Sequence, residues 1–454
     1  MFDHQSTGFA PRHADLIVVG GGLAGLIAAT KVAQAGHSVR VLEQSRHWGG
    51  RAATKVKAGL HLNQGAHALY CGGHAFRLLT ELQVPFTGRF PNGGRALLLR
   101  GKTEYAYPTT VWSWLTSGLL TLREKWIFSR LIRELPAMDP RPLDKISLQT
   151  WVEQQAGRDK LAAFLRTMFR LNTFATDAGH LSAGAAIEQL QTGLAKNVWY
   201  LDGGWQSLVD GLQDRAKSFG TEFRNSSGVQ RLQSDGDGVS VTLASGETLR
   251  SRAAVLAVAP DMACKLLELP EAAALPTWTR QAIPVRVACL DVCLDRLSRP
   301  EHRFALGLDR PVYYSVHSAA AKLAPEGVAV IHLMKYLRAG EQQSPAVIEA
   351  ELEGMLDQLQ PGWRAHTVER RFLPAMTVSH CLPTAATGGL SGRPAVRVDD
   401  RPGVFLAGDW VGTRGMLADA SAASAEEAAN CVLDSFRPQR EAPSVIGSAM
   451  YAGT

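Results

Sequence analysis

The chain is poor in the features that would tie it to a disulfide scaffold, a membrane span or a nucleic acid. Only six cysteines occur in 454 residues: Cys71, Cys264, Cys289, Cys293, Cys381 and Cys431. None forms a C-x-x-C pair, and most stand among apolar neighbours. Reduced, buried thiols are expected, without a metal site or a disulfide framework. No uninterrupted apolar run reaches the roughly 18 residues that a bilayer span needs. The opening stretch, MFDHQSTGFAPRHA, has no apolar core of the kind a secretory leader carries. A cytoplasmic protein is therefore expected. Charges of both signs are scattered, with a net charge of +6 and no long basic block. That argues against dedicated nucleic-acid binding, yet permits weak attraction to an anionic membrane surface or substrate. With 46% hydrophobic and 20% charged residues the composition is that of an ordinary globular protein. Its length is too great for one core, so two domains are expected.

What is present is concentrated first in residues 15–43, DLIVVGGGLAGLIAATKVAQAGHSVRVLE. Asp15 to Val19 read as a buried strand. Gly20, Gly22 and Gly25 then follow at G-x-G-x-x-G spacing. A helix is expected on the apolar positions Leu23, Leu26, Ile27, Thr30 and Val32, stopped by Gly36. A second strand, Ser38 to Leu42, ends on Glu43. Gly20 allows a tight turn, Gly22 leaves room for a pyrophosphate, and Gly25 lets the helix pack close to the strand. The helix start at Leu23 and Ala24 offers free N–H groups and a positive dipole end to phosphates. Glu43 is placed to accept hydrogen bonds from ribose hydroxyls. A glycine-rich turn in another α/β protein is the alternative, but strand, turn, helix, strand and acid all fall in register.

Directly after Glu43 comes QSRHWGGRAAT, in which Gly49 and Gly50 precede Arg51. One helix end neutralises a pyrophosphate only partly. An arginine on a glycine-rich loop would complete the site with charge-assisted hydrogen bonds; a solvated loop arginine is the alternative.

Glycine motif, acid and Gly-Gly-Arg together resemble the FAD-dependent amine oxidase and phytoene desaturase superfamily. The resemblance implies FAD rather than NAD. It implies an α/β fold, a Rossmann-type FAD-binding domain with an inserted α+β substrate domain. The FAD domain would be built from residues 1–85, 200–275 and 371–435. The substrate domain would take a helical insert at 86–199 and a sheet part at 276–370, leaving 436–454 as a flexible tail.

Further residues gain expectations from this likeness. Gly65, Ala66 and His67 match a turn beside the flavin. His67 is the candidate acid or base, its unperturbed pKa lying near neutrality; a histidine that merely shapes the pocket is the alternative. In YLDGGWQSLVDGLQDRA (200–216), Gly203 and Gly204 turn the chain into a helix that re-enters the FAD domain. Glu222-Phe223 and Gly228 to Leu232 look like a strand pair, with the backbone of Val229 reading the adenine edge. A meander of VSVTLASG, ETLRSR and AAVLAVAP follows. Strands are expected in IPVRVACLDVCLDRL, VYYSVHS and VAVIHLMKYL, and a helix in SPAVIEAELEGMLDQLQ. In GVFLAGDWVGTRGMLADASAASAEEAANCVL (403–433), Asp409 would accept a ribityl hydroxyl, and a helix starting near Met416 would aim its positive end at the flavin.

Two departures separate the chain from amine oxidases. No lysine stands on the roof strand, where the matching place is near Cys289 and Leu290. Met416 occupies the position of an aromatic cage residue. Both features, with Trp410 and a Trp-rich insert, move the likeness toward carotenoid and squalene desaturases. The expected activity is dehydrogenation of a largely apolar small molecule by hydride transfer to flavin N5, the electron acceptor being open. Alternatives are an amine or amino-acid oxidase using O₂, a redox-neutral flavin-dependent isomerase, and a non-catalytic lipid or prenyl carrier of the same architecture. The stretch holding Trp112, Trp114, Leu119, Leu120, Trp126 and Ile127, flanked by Arg123 and Lys125, reads either as a peripheral membrane contact or as ordinary helix packing.

Overall fold

The computed structural model describes residues 13–91, 94–108, 118–158 and 160–437. The anticipated tail beyond residue 437, and Trp112 and Trp114, lie outside these residues.

The apolar run at the start forms the strand Ala14–Val19, and its apolar side chains are buried. It pairs in parallel with Val39–Leu42 on one side and with Thr248–Leu256 on the other. Between the first two strands the chain makes the helix Leu23–Gln34, whose C-terminal turn is closed by Gly36 at φ +90°. The short strand Val404–Leu406 pairs in parallel with Thr248–Leu256. The last described helix, Leu417–Phe436, packs on Leu23–Gln34. These elements share one core of Leu16, Val18, Leu26, Ile27, Val255, Leu406 and Ala425. Strands with helices stacked on them in parallel register make the doubly wound α/β layer that dinucleotides use.

Two sequence expectations are corrected in this sheet. Glu222 and Val229 do not begin a strand pair. Glu222–Arg224 follows the helix Gln206–Ser218 and docks in parallel beside Val39–Leu42 at one edge. Val229–Asp235 pairs antiparallel with Gly238–Leu243 at the opposite edge. A helical crossover returns a strand in parallel, whereas the tight turn before Gly238 folds one back, and the two connections send neighbouring segments apart. The stretches ETLRSR and AAVLAVAP are also not separate strands: residues 248–256 run as one, exposed at Arg250 and Arg252 and fully buried from Ala253.

A second seven-stranded sheet has the order Thr367–Ser379, Val285–Leu294, Ala329–Leu337, Val312–Val316, His302–Gly307, Arg95–Arg100 and Thr103–Ala106. The helix Pro345–Leu359 covers one face through Ile348, Leu352, Met355 and Leu356. Helices Leu148–Ala156, Lys160–Thr173 and Ala183–Lys196 build a separate core with Val287, Cys289 and Met334 of the other face. Central strands buried on both faces read as nearly continuous apolar runs. Two boundaries differ from expectation. The insert at 86–199 is not helical throughout, since two of its strands extend this sheet. The strand Thr367–Ser379 runs across residue 370; it lies at a sheet edge, where its charged residues and Pro374 are tolerated.

The glycine turn fixes how closely the first helix meets the sheet. A Cβ on Gly25 would stand 2.0 Å from the Gly20 carbonyl oxygen, and one on Gly20, at φ +108°, would stand 2.4 Å from the Ala257 carbonyl oxygen. The obstacle is backbone in both cases and cannot rotate away. Gly25→Ala is expected to lower stability by about 3 kcal/mol, the upper end of overpacking costs. Chemical denaturation measures this, and an unchanged midpoint would show that the helix can retreat freely.

Candidate functional site

A cavity of about 1200 Å³ opens above the carboxyl ends of the first sheet and continues beneath the second. It exceeds the roughly 300–1,000 Å³ typical of a small-ligand pocket. Gly20, Gly22, Leu23, Ala24, Glu43, Gly50, Arg51, His67, Val229 and Asp409 all line it. Gly25 does not; its place is under the helix, holding the turn against the sheet.

At the narrow end the turn presents bare backbone. A Cβ on Gly22 would meet the Gly49 carbonyl oxygen at an ordinary 3.8 Å, so no protein atom crowds this position. The Glu43 carboxylate is fixed from beneath: Oε2 accepts from Gly21 N–H at 2.8 Å and Oε1 from Ser45 N–H at 2.8 Å. An ionised carboxylate has about four acceptor positions, so two remain for ribose hydroxyls. Trp48, missed in the sequence, closes over the turn, and a Cβ on Gly21 would stand 2.3 Å from its ring. This cradle, with a helix N-terminus behind it, fits the adenosine-diphosphate half of a flavin dinucleotide.

Arg51 and Asp409, far apart in sequence, meet in a two-pronged ion pair. Arg51 Nη1 donates to Asp409 Oδ2 and Nη2 to Oδ1, both at 2.8 Å, and Nη1 also donates to the Val378 carbonyl at 2.8 Å. His380 N–H donates to Asp409 Oδ2 at 3.0 Å, and His380 Nδ1 lies 3.1 Å from Oδ1. Burial alone would raise the Asp409 pKa, but Arg51 and His380 outweigh it and hold the carboxyl well below its ordinary range. These four contacts take up the acceptor positions of the carboxylate. The anticipated bond from Asp409 to a ribityl hydroxyl would therefore displace one of them. In this arrangement Asp409 holds Arg51, whose guanidinium faces the cavity with its other N–H groups. Sequence reading missed His380, because its partner is reached only through the fold.

The final helix begins at Leu417, with φ +56°, and presents Leu417, Ala418 and Ser421 to the cavity. Met416 does not line it; this side chain packs away among Ala185, Leu390 and Leu417. The expected position was one residue early because the turn after Gly415 places Met416 as the cap, outside the first helical turn. Arg393 secures that turn, donating to the Asp409 carbonyl at 3.2 Å and to the Gly415 carbonyl at 3.0 Å. Trp410 is buried and donates from its indole N–H to the Val258 carbonyl at 3.0 Å.

His67 lies beside the Trp205 ring, 4.8 Å between centroids, with Nδ1 3.0 Å from the Gly65 carbonyl. Burial, assisted by the nearby His332 and Arg51, pushes its pKa down to about 4 despite the Gly65 hydrogen bond. It is therefore a neutral imidazole near pH 7, and the Gly65 carbonyl favours the tautomer with its proton on Nδ1. Above it the roof carries no lysine among the described lining residues. Cys289 stands where one was sought; its thiol packs against Gly65, and burial drives its pKa well above the ordinary value. The lysine of the neighbouring strand, Lys335, points to the far face and pairs with Glu351 at 2.7 Å. Beyond His67 the cavity is walled by Met168, Leu171, Phe174, Leu190, Phe304 and Met334, and by Tyr200, Tyr313, Ser315 and His317. The polar group went unnoticed in the sequence, although the alternation Tyr313, Ser315, His317 was its signal.

Comparison with known proteins agrees with the geometry. The family model described as flavin containing amine oxidoreductase matches residues 23–433. A Mycobacterium tuberculosis protein described as a flavin-containing monoamine oxidase, AofH, is 29% identical over 252 residues, covering 52% of this chain and 55% of that protein. The phytoene desaturase of Neurospora crassa is 27% identical over 262 residues, 50% of this chain and 43% of that enzyme. These matches span about half the length of the curated relatives. An oxidoreductase from Methanosarcina mazei has the same fold, with a TM-score of 0.74 at 17% identity over 91% of this chain and 99% of that one. The cradle of Gly20, Gly22 and Glu43, the Arg51 clamp and the family match lead to one conclusion: the chain belongs to the flavin-containing amine oxidoreductase family.

Proposed function

We propose that the chain dehydrogenates a largely apolar small molecule, taking a hydride from a C–H bond. The observation that carries this reading is the wall of the cavity beyond His67, most of which is thioether, aliphatic and aromatic around one polar cluster. Bound FAD supplies the hydride-accepting chemistry. The chain's own residues divide the remaining work. Gly20, Gly22 and Glu43 would hold the adenosine end, and the backbone of Val229 would meet the adenine. Arg51, braced by Asp409, faces the phosphates. The amino end of the helix at Leu417, which lines the cavity, would offer positive potential to negative charge on a bound flavin. His67, kept neutral, offers a hydrogen-bonding imidazole rather than a charge.

A second reading, an amine oxidase that passes electrons to O₂, is favoured by the likeness to AofH. The roof speaks for the first reading, since Cys289 stands where amine oxidases are expected to carry a lysine. An exposed pair on the helix Leu122–Glu134, Leu122 and Trp126, is proposed as a peripheral membrane contact, with Arg130 lying over the Trp126 ring. Leu119 and Leu120 are buried and take no part, and no described helix is long and apolar enough to cross a bilayer.

Anaerobic mixing with isoprenoid, lipid and amine pools should bleach the flavin absorbance with an apolar pool. Bleaching by amines alone, with peroxide formed on readmitting air, would establish the second reading instead. Arg51→Ala leaves Asp409 buried beside only His380. It should cost about 1–3 kcal/mol, less than for a fully buried pair because the guanidinium faces the cavity. It should also weaken FAD retention, measured by equilibrium dialysis; unchanged retention would remove Arg51 from the phosphate site.

The low pKa of His67 has a signed consequence. Below the unfolded value of about 6.5 the unfolded chain takes up a proton that the folded one refuses until pH about 4. Its contribution to stability is thus fully present above pH 6.5 and declines as pH falls toward 4. Denaturation midpoints across pH 4–7 should fall more steeply for the native chain than for His67→Gln, and parallel curves would contradict the assignment.

A further inference from the structure

Deep in the cavity, four polar side chains converge from two separate elements. Tyr313 and Ser315 come from the strand Val312–Val316, with His317 just past its end, and Tyr200 from the strand Val198–Leu201. All four line the cavity. Tyr200 stacks on the His317 ring, with centroids 3.8 Å apart and planes 9° from parallel. The Tyr313 hydroxyl lies 3.1 Å from His317 Nε2 and 3.3 Å from the Tyr200 hydroxyl, which is 3.4 Å from Ser315 Oγ. Optimal O–H···O contacts are about 2.7–2.8 Å. The hydroxyls are thus in loose contact with one another. Three hydroxyls bring three donors and about six acceptor positions, of which these contacts use only part.

The group is held rigidly from behind. His332, paired in register with Ser315, packs edge-on against His317 at 4.6 Å. Its Nδ1 is 2.6 Å from Asp291 Oδ1, and both residues are fully buried. Arg371 in turn pairs with Asp291 and donates to the Asn63 carbonyl. The Asp291 charge is thereby compensated on two sides. One layer deeper, His332 Nε2 is buried without a protein partner.

We propose that Tyr200, Tyr313, Ser315 and His317 form a subsite for an uncharged oxygen function, a hydroxyl or carbonyl, on an otherwise apolar substrate. The inference rests on the dehydrogenation reading above and narrows its substrate class. Hydroxyl groups can donate to a carbonyl or accept from an alcohol without rearranging the wall. An ammonium group finds no uncompensated carboxylate here, because Asp291 is already paired with Arg371 and His332. A carboxylate finds no cation among the four. Of the cationic lining side chains among the described residues, Arg51 is paired with Asp409, and Arg303, which donates to the Pro300 carbonyl, is not one of the four. Burial keeps His317 neutral and both tyrosines protonated, as such a subsite requires.

The test is an anaerobic titration of the FAD-loaded protein with octane, octanol, octanal, octylamine and octanoate, binding being read from the shift of the flavin absorbance bands. Octanol and octanal should bind about tenfold more tightly than octane, as one or two net hydrogen bonds supply. The double variant Tyr313→Phe with Ser315→Ala, which keeps the ring volume, should lose that preference while still binding octane. Ser315→Ala alone should lose part of it. Octylamine or octanoate as the tightest probe would overturn the proposal, as would a preference that survives in the double variant. Bleaching of the flavin is a separate readout. An oxygen preference without bleaching by any pool counts against dehydrogenation alone, and bleaching without the preference overturns the subsite alone.

Discussion

The ion pair between Arg51 and Asp409 is the contact on which the arrangement of the cavity depends. It joins the glycine loop after the second strand to the turn before the last helix. It also takes in the end of the long edge strand, through the Val378 carbonyl and the His380 N–H. Three stretches that are remote in the chain are thereby brought to one point between the two sheets. A buried carboxylate is costly unless it is paired and its lone pairs are filled. Asp409 meets both conditions, so the charge that would otherwise destabilise this junction specifies it. Arg393 extends the same logic by binding the carbonyls of Asp409 and Gly415, which sets where the last helix begins.

From that point the cavity changes character in two directions. Toward the first sheet it is made of backbone: Gly20, Gly22 and the free start of a helix, with Glu43 held by two N–H groups. Such a surface recognises phosphate and ribose by geometry and suits a dinucleotide generally. Under the second sheet it is made of side chains. Some come from strands whose alternate residues face the cavity while the rest face the helix Pro345–Leu359, and others from the helices Lys160–Thr173 and Ala183–Lys196. The cofactor-shaped part of the cavity is thus largely main chain, and the remainder is side chain. A strand face changes with single substitutions and leaves the cradle alone.

The cradle was legible in the chain because every part of it is local. Strand, glycine turn, helix, strand and acid follow each other within residues 14–43, and each has its own periodicity or turn residue. The strand, Gly-Asp turn and helix at 404–436 were legible for the same reason, to within a residue at Met416. What escaped depends on register between distant segments. Nothing near Arg51 names Asp409 and His380 as its partners. Nothing near Glu222 and Val229 says that one goes to each edge of the sheet. The strands Arg95–Arg100 and His302–Gly307 are short and flanked by charge, and they declare themselves only by pairing with each other. The row of Tyr313, Ser315 and His317 alternates as a strand should, but which face meets the cavity is decided by its neighbours.

The long edge strand has a consequence for energetics. Thr367–Ser379 binds Asp291 through Arg371, lines the cavity through Met376 and Thr377, and ends on Val378 and His380 at the ion pair. One rigid rod therefore bears on both compartments. A ligand in contact with Met376 would touch the same strand that meets the Arg51 guanidinium. If that contact shifts the strand, occupancy of the two halves would be thermodynamically linked. Whatever factor a substrate applies to the affinity for cofactor, the cofactor must return to the affinity for substrate.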